Sequence, residues 1–308
     1  MRPTIATLAV VTTTALAAPA LLTASPATAA TPAVALAPAV ASATDPVPAL
    51  KRRFRAHRGV RLSEKTKLIG TAGKPRSIFS RRSGVLEFGR AGVIASDLTS
   101  TYNLPDRDSE LRGVFVPSRT VTVKGVSYTS GGIFGDSLPE GKKWLRDTGG
   151  GLSLVNPAQQ LLNPLEPATL KAALAHTASR RPGGTWDGVR TVVHTGSITL
   201  GELYRISPAL RAALGAKPSA TSAALPVTWR LHIGPDGLIR RAVSSYTQTF
   251  RGLTSADLTY LNDSRYSSWG IRTAIKPPPA GQVADFDELK VGDAHDETPL
   301  PIFGGLGG

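Results

Sequence analysis

The sequence predicts an α+β fold, an antiparallel sheet with helices gathered on one face. Three observations lead there: short apolar alternations divided by Gly, Pro and Asp from about Leu68 onward, a group of helix signals in the middle, and a return to strand patterning after residue 225. The chain has 308 residues, of which 41% are hydrophobic, enough to bury a core and too many for wholesale disorder. It contains no cysteine, which excludes disulfides, Cys-ligated metals, a thiol nucleophile and a lipid anchored through cysteine.

Residues 1–29 join one positive charge, Arg2, to an apolar run from Ile5 to Leu22 and to Ala27-Thr-Ala29. That is the pattern of a secretory signal peptide cleaved after Ala29, and the alternative is an uncleaved anchor. Residues 30–49 are rich in Ala and Pro and are expected to form a tether or pro-segment. The expectation is an exported protein, extracellular or associated with the cell envelope, without a lipid anchor.

The next 40 residues, 51–90, carry 13 Lys and Arg against Glu64 and Glu87, whereas residues 91–308 carry 22 bases and 19 acids. So concentrated a charge attracts polyanions through a field that salt screens. For an exported chain these would be anionic membrane or wall surfaces, with Arg52, Arg53, Arg55 and Arg58 as the expected contacts. A merely solvated run is the plainer reading. The single aromatic between Lys51 and Lys67, Phe54, weighs against nucleic acid, since single strands need stacking platforms.

Strands are expected at Gly84–Phe88, Gly92–Ser96 and Gly113–Val116, then at Val121–Val123 and Val126–Tyr128 around the Lys124-Gly125 turn. Asn156-Pro157 starts a short helix through Leu161 and Leu162, and Pro167 starts another with Leu170, Ala173, Leu174 and Thr177 on one face. Thr191–Ile198 and Glu202–Ile206 read as strands, and Ser207-Pro208 opens a helix that stops at Gly215. Val227, Trp229, Leu231 and Ile233 share one face of a strand that turns at Gly234-Pro-Asp-Gly237 into Leu238–Thr247. Gly270–Ile275 is a further strand candidate, residues 50–290 form one domain, and residues 291–308 read as a flexible tail.

The order of these pieces resembles the secreted lipid-carrier lipoproteins of actinobacteria, which share the half-barrel of the bacterial lipoprotein carrier. The resemblance rests on Val121-Thr-Val-Lys-Gly-Val-Ser-Tyr128, Gly141-Lys-Lys-Trp144, Asn156-Pro-x-x-x-Leu-Leu162, Val192-x-His-x-Gly-Ser-Ile-Thr199, residues 225–240, Tyr266-x-x-Trp-Gly270 and Ile275-Lys-Pro-Pro-Pro279. It implies a curved antiparallel sheet, a half-barrel with helices covering its concave face, and a carrier of a lipid or other apolar molecule, and the chain departs from the family in lacking the lipidated cysteine. The lining of the implied cavity would comprise Val121, Val123, Trp144, Leu161, Leu162, Leu170, Leu174, Tyr204, Trp229, Leu231 and Ile233. Alternation alone does not distinguish a hollow interior from a filled one.

No catalytic residue, metal site or cofactor is expected. The five histidines show no ligand spacing, and Asp293-Ala-His295-Asp-Glu297 reads as a solvated acidic run rather than a cation site. Neither Gly-x-Ser-x-Gly nor Ser-x-x-Lys with Lys-Thr-Gly occurs, which leaves for chemistry only a hydrolytic triad assembled by folding. The remaining alternative to a carrier is an envelope signalling or interaction module of the same fold, with a protein partner.

Overall fold

The computed structural model describes residues 44–70, 77–103, 116–148, 160–250 and 256–290. All of them fall in one compact unit, 41–308. The signal peptide, most of the tether, all but the last residue of the Gly113–Val116 strand candidate, the start of the Asn156 helix, the 293–297 acidic run and the tail lie outside the described residues.

The strands are β1 (Arg58–Gly70), β2 (Ser77–Phe88), β3 (Val93–Asn103), β4 (Ser118–Val123), β5 (Val126–Gly131), β6 (Trp144–Asp147), β7 (Thr177–Trp186), β8 (Val189–Thr199), β9 (Pro226–Ile233), β10 (Ile239–Phe250), β11 (Ala256–Arg272) and β12 (Val283–Ala284). The helices are α1 (Pro46–Arg53), α2 (Pro167–Ala175), α3 (Leu200–Ile206), α4 (Pro208–Leu214) and α5 (Ala220–Ala223).

These elements overturn the expected α+β fold class. Every strand among the described residues belongs to one 12-stranded open sheet, ordered β12-β6-β5-β4-β3-β2-β1-β11-β10-β9-β8-β7. It is mixed rather than antiparallel, because β12 runs parallel to β6. The helices, none longer than nine residues, are small additions to a sheet-dominated molecule. The physical reason lies in segments whose polarity hid their pairing. The basic segment is β1 and β2, in register from Arg58 with Phe88 to Ile69 with Ser77, and the 17-residue β11 pairs with both β1 and β10.

The two hairpins read from turn chemistry are present. Lys124 and Gly125 have φ of 52° and 81°, the left-handed pair that a two-residue turn between β4 and β5 requires. Pro167 and Ser207 start α2 and α4, the Ser207 hydroxyl accepting from the Leu210 N–H at 3.0 Å. Glu202–Ile206 is helix α3 rather than strand, because Thr199 caps it, accepting from the Glu202 N–H, and Leu200 and Leu203 bury one helical face. Leu161 and Leu162 are buried but not helical. β11 ends at Arg272, short of Ile275, ahead of Pro277-Pro-Pro279, which has no N–H to donate. α1 begins inside the stretch read as tether, capped by Asp45, which accepts from the Val47 N–H at 3.0 Å.

One face of the sheet carries the core. Leu50 of α1, Leu170 and Ala173 of α2, Leu200 and Leu203 of α3 and Leu210 of α4 pack with Val60, Leu62, Leu86, Phe88, Leu98, Trp229, Leu231, Tyr260 and Tyr266 of the strands. No helix among the described residues is long and apolar enough to cross a membrane.

Candidate functional site

The structure divides the expected lining residues between the two faces of the sheet. Leu161, Leu162, Leu170, Trp229, Leu231 and Ile233 belong to the buried core, and Leu174 and Tyr204 pack against it partly buried. Val121, Val123 and Trp144 are not in that cluster. Val121 shares its side of the sheet with Asp97 and Val85, its neighbours across β3 and β2, while the alternate residues Leu98 and Leu86 face the core. Trp144 sits on the same outer side, beneath the Arg119 guanidinium at 5.7 Å. Where the core residues meet, the interior is packed: Leu170 and Leu231 are 0% exposed and Trp229 is 2%.

Within that packed face lies a polar strip that sequence patterning missed. The inward positions of β1 run Val60, Leu62, Glu64, Thr66, apolar first and then polar, and all four are buried. Glu64 Oε1 accepts from Arg82 Nε at 3.0 Å and lies 2.8 Å from Nη2, while Oε2 accepts from the Ser264 hydroxyl at 2.7 Å. The Ser264 hydroxyl is also 2.7 Å from Asn262 Oδ1, and Asn262 Nδ2 donates to Thr66 Oγ1 at 3.1 Å. The Tyr266 phenol is buried beside this strip, and its pKa is pushed far above its ordinary value first by burial and then by the Glu64 charge. A second row crosses five strands at one level, from Thr66 to Asn262, Ser244, Trp229 and Gly196.

Two donors in this interior lack an acceptor among the described residues: Trp229 Nε1 and Gln160 Nε2. Trp229 and Gln160 are 2% and 4% exposed. A buried donor left unsatisfied costs about 1–3 kcal/mol. The strip is thus an apolar interior holding one charged pair, a run of amide and hydroxyl groups, and spare hydrogen-bond donors. The only sequence signal for it was the strict alternation from Val60 to Thr66, obscured because the inward Glu64 and Thr66 are polar.

The basic residues expected at an anionic surface are exposed. Arg52 and Arg53 form the last turn of α1, where cations favour the helix dipole, and Arg55 and Arg58 lead into β1. Open grooves lie near them rather than over the core. One, of about 580 Å³, is lined by Ala56, His57, Arg58, Arg272, Thr273 and Ala274. The other, of about 390 Å³, lies on the outer side and includes Arg61, Asp97, Arg119 and Val121.

Histidine environments differ. His176 Nε2 is 2.8 Å from Glu202 Oε1 at the surface. His232 Nδ1 is 2.9 Å from the Gly183 carbonyl oxygen, so that nitrogen carries the proton and donates. Burial lowers the pKa of both His194 and His232. No group of His, Asp and Glu among the described residues is arranged to hold a metal ion.

No family model and no curated protein matches the sequence. Among solved structures, the chain is similar to a DUF1329 family protein from Desulfovibrio piger at 11% identity, with 73% of this chain and 92% of that one covered and a TM-score of 0.25. It is similar to a LolA superfamily protein from Nitrosomonas europaea at 7% identity, covering 74% and 92%, with a TM-score of 0.25. It also matches lipovitellin, from a structure of lipid–protein interactions, at 10% identity, covering 74% of this chain and 27% of that one, with a TM-score of 0.26. Overlaps this low define neither fold nor ligand, and function has to be argued from this chain's own residues.

Proposed function

We propose that this chain is an exported, non-enzymatic binder or carrier of a lipid or other long apolar molecule, taken up on the helix-covered face of the sheet. The observation that carries the reading is the pair of buried donors, Trp229 Nε1 and Gln160 Nε2, with no acceptor among the described residues, in an interior whose apolar side chains surround the polar strip. An amphiphile with an ester or carboxyl oxygen would satisfy them while its chains replace side-chain contacts.

In this mechanism the short helices α2 to α4 separate from the strands, and the acyl chains take the place of Leu170, Leu174 and Leu210 against Trp229 and Leu231. Affinity would come from apolar burial at about 25 cal/mol per Å². Release follows where a membrane offers equal burial. The exposed Arg52, Arg53, Arg55 and Arg58 would hold the protein near an anionic membrane or wall surface, and the leader pattern in residues 1–29 supports export. Extraction of protein purified from its native host, followed by mass spectrometry, tests this. An amphiphile near one equivalent supports the reading, and protein free of any apolar ligand counts against it.

A second reading, an interaction module with an envelope protein partner, is favoured by one feature. Phe134 and Phe286 meet edge to face at 5.5 Å yet remain 36% and 51% exposed, beside Ile133 at 44%. A photo-crosslinker at position 286 that captures one protein in intact envelopes, and loses it with Phe134→Ser, would support that reading.

A further inference from the structure

We propose that the groove where β1 begins and β11 ends is a binding site for a phosphoryl group, formed by Arg58, Arg272 and the Thr273 hydroxyl. The proposal does not rest on uptake of an apolar ligand at the other face.

Arg58, Arg272 and Thr273 line one groove together with His57, whereas Arg61 and Lys276 belong to the neighbouring groove on the outer side. The nearby carboxylates are already engaged. Asp97 takes Arg119 through two hydrogen bonds of 2.8 and 2.7 Å. Glu87 accepts from the Ile275 N–H at 2.8 Å and lies 3.8 Å from His57 Nδ1. Among the described residues no carboxylate pairs with Arg58, Arg61, Arg272 or Lys276; Arg58 Nη1 donates only to the Gly270 carbonyl oxygen, at 3.2 Å.

The placement of these cations is itself unfavourable. Arg58 and Arg272 are directly opposed across the β1–β11 ladder, next to the register shift between Gly59 and Arg61. Like charges facing each other across strands destabilise a sheet. An anion between them turns that repulsion into two charge-assisted contacts. Thr273 lines the same groove, and its buried Oγ1 has no hydrogen-bond partner among the described residues, so a rotation of the side chain would turn the hydroxyl to a bound anion.

Donor chemistry selects the ligand class. Guanidinium forks pair with the oxygens of a phosphoryl group, and the hydroxyl can donate to a third oxygen. A dianion also suits unneutralised arginines better than a single carboxylate would. The phosphoryl group could belong to a phospholipid headgroup or to free or small soluble phosphate.

Calorimetric titration of the full chain with inorganic phosphate at low salt tests the site. Saturable binding near one equivalent is expected, at least tenfold weaker in Arg58→Gln/Arg272→Gln, several-fold weaker in Thr273→Val, and unchanged in Arg180→Gln/Arg181→Gln, a pair of exposed arginines on the edge strand β7. Arg272→Gln alone should raise the thermal midpoint in phosphate-free buffer and lose the rise that phosphate gives the wild type. Vesicles of phosphatidylglycerol against phosphatidylcholine separate the sources: loss of vesicle binding in the double variant assigns the headgroup, and retained vesicle binding with loss of phosphate binding assigns a soluble phosphate. Absence of saturable phosphate binding, or equal weakening by the β7 variant, would overturn the proposal.

Discussion

Trp229 packs against the backbone of Gly196: a β-carbon at residue 196 would stand 2.5 Å from the indole Cζ2 and 2.1 Å from the His176 carbonyl oxygen. The two residues are opposed across β8 and β9, so the absence of a side chain on one strand makes room for the largest buried side chain on the other. Gly196→Ala should therefore destabilise the fold by about 1–3 kcal/mol through overpacking, read from urea denaturation. An unchanged midpoint would show that the indole is not held where the structure places it.

The Glu64–Arg82 pair predicts a different pattern. Removing the carboxylate in Glu64→Ala takes away the acceptor for Arg82 and Ser264 in a buried setting, at a cost of about 3–5 kcal/mol. Replacing both residues, Glu64→Leu with Arg82→Met, should recover most of that loss, since a well-packed apolar pair commonly matches a buried ion pair. Denaturant unfolding of the three proteins decides it; a double variant as unstable as the single one would contradict the account.

His194 and His232 set a pH dependence. Their pKa values are lowered by burial, so the unfolded chain binds more protons than the folded one once pH falls below the ordinary histidine value of about 6.5. Their contribution is present at neutral pH and is lost as pH drops through that value toward the depressed folded ones. Thermal midpoints should fall between pH 7.5 and 5, and His232→Gln should flatten the fall. A midpoint that rises on acidification would contradict it.

Exposed arginines at the end of α1 predict salt-sensitive attraction to anionic vesicles, because their field is screened over about 8 Å at physiological ionic strength. Neutralising Arg52, Arg53, Arg55 and Arg58 together should lower sedimentation with such vesicles at low salt. Binding indifferent to both salt and substitution would mark these residues as solvated charge only.

What the sequence disclosed depended on whether polarity and pairing agreed. Around Lys124-Gly125 and Gly234–Gly237 the turn residues and the apolar alternation coincide, and both hairpins were legible. In β1 and β11 they conflict: Glu64, Thr66, Asn262 and Ser264 point inward, so two of the longest strands carried no apolar signature. The same residues make the polar strip, which is why strand and site were missed together. Val121 and Val123 illustrate the converse, since their alternation located a strand without revealing which face of the sheet it presents.

The most direct test of ligand uptake at the helix-covered face is titration of delipidated protein with a fluorescent acyl probe, comparing the wild type with Trp229→Phe. The ring remains and the indole N–H is lost, so the denaturation midpoint should hold or rise, because an unsatisfied buried donor has gone. The account predicts one saturable site in the wild type and several-fold weaker binding in the variant. Absence of saturable binding by the wild type, with Trp229→Ala costing the full 3–5 kcal/mol or so of a filled core, would contradict it.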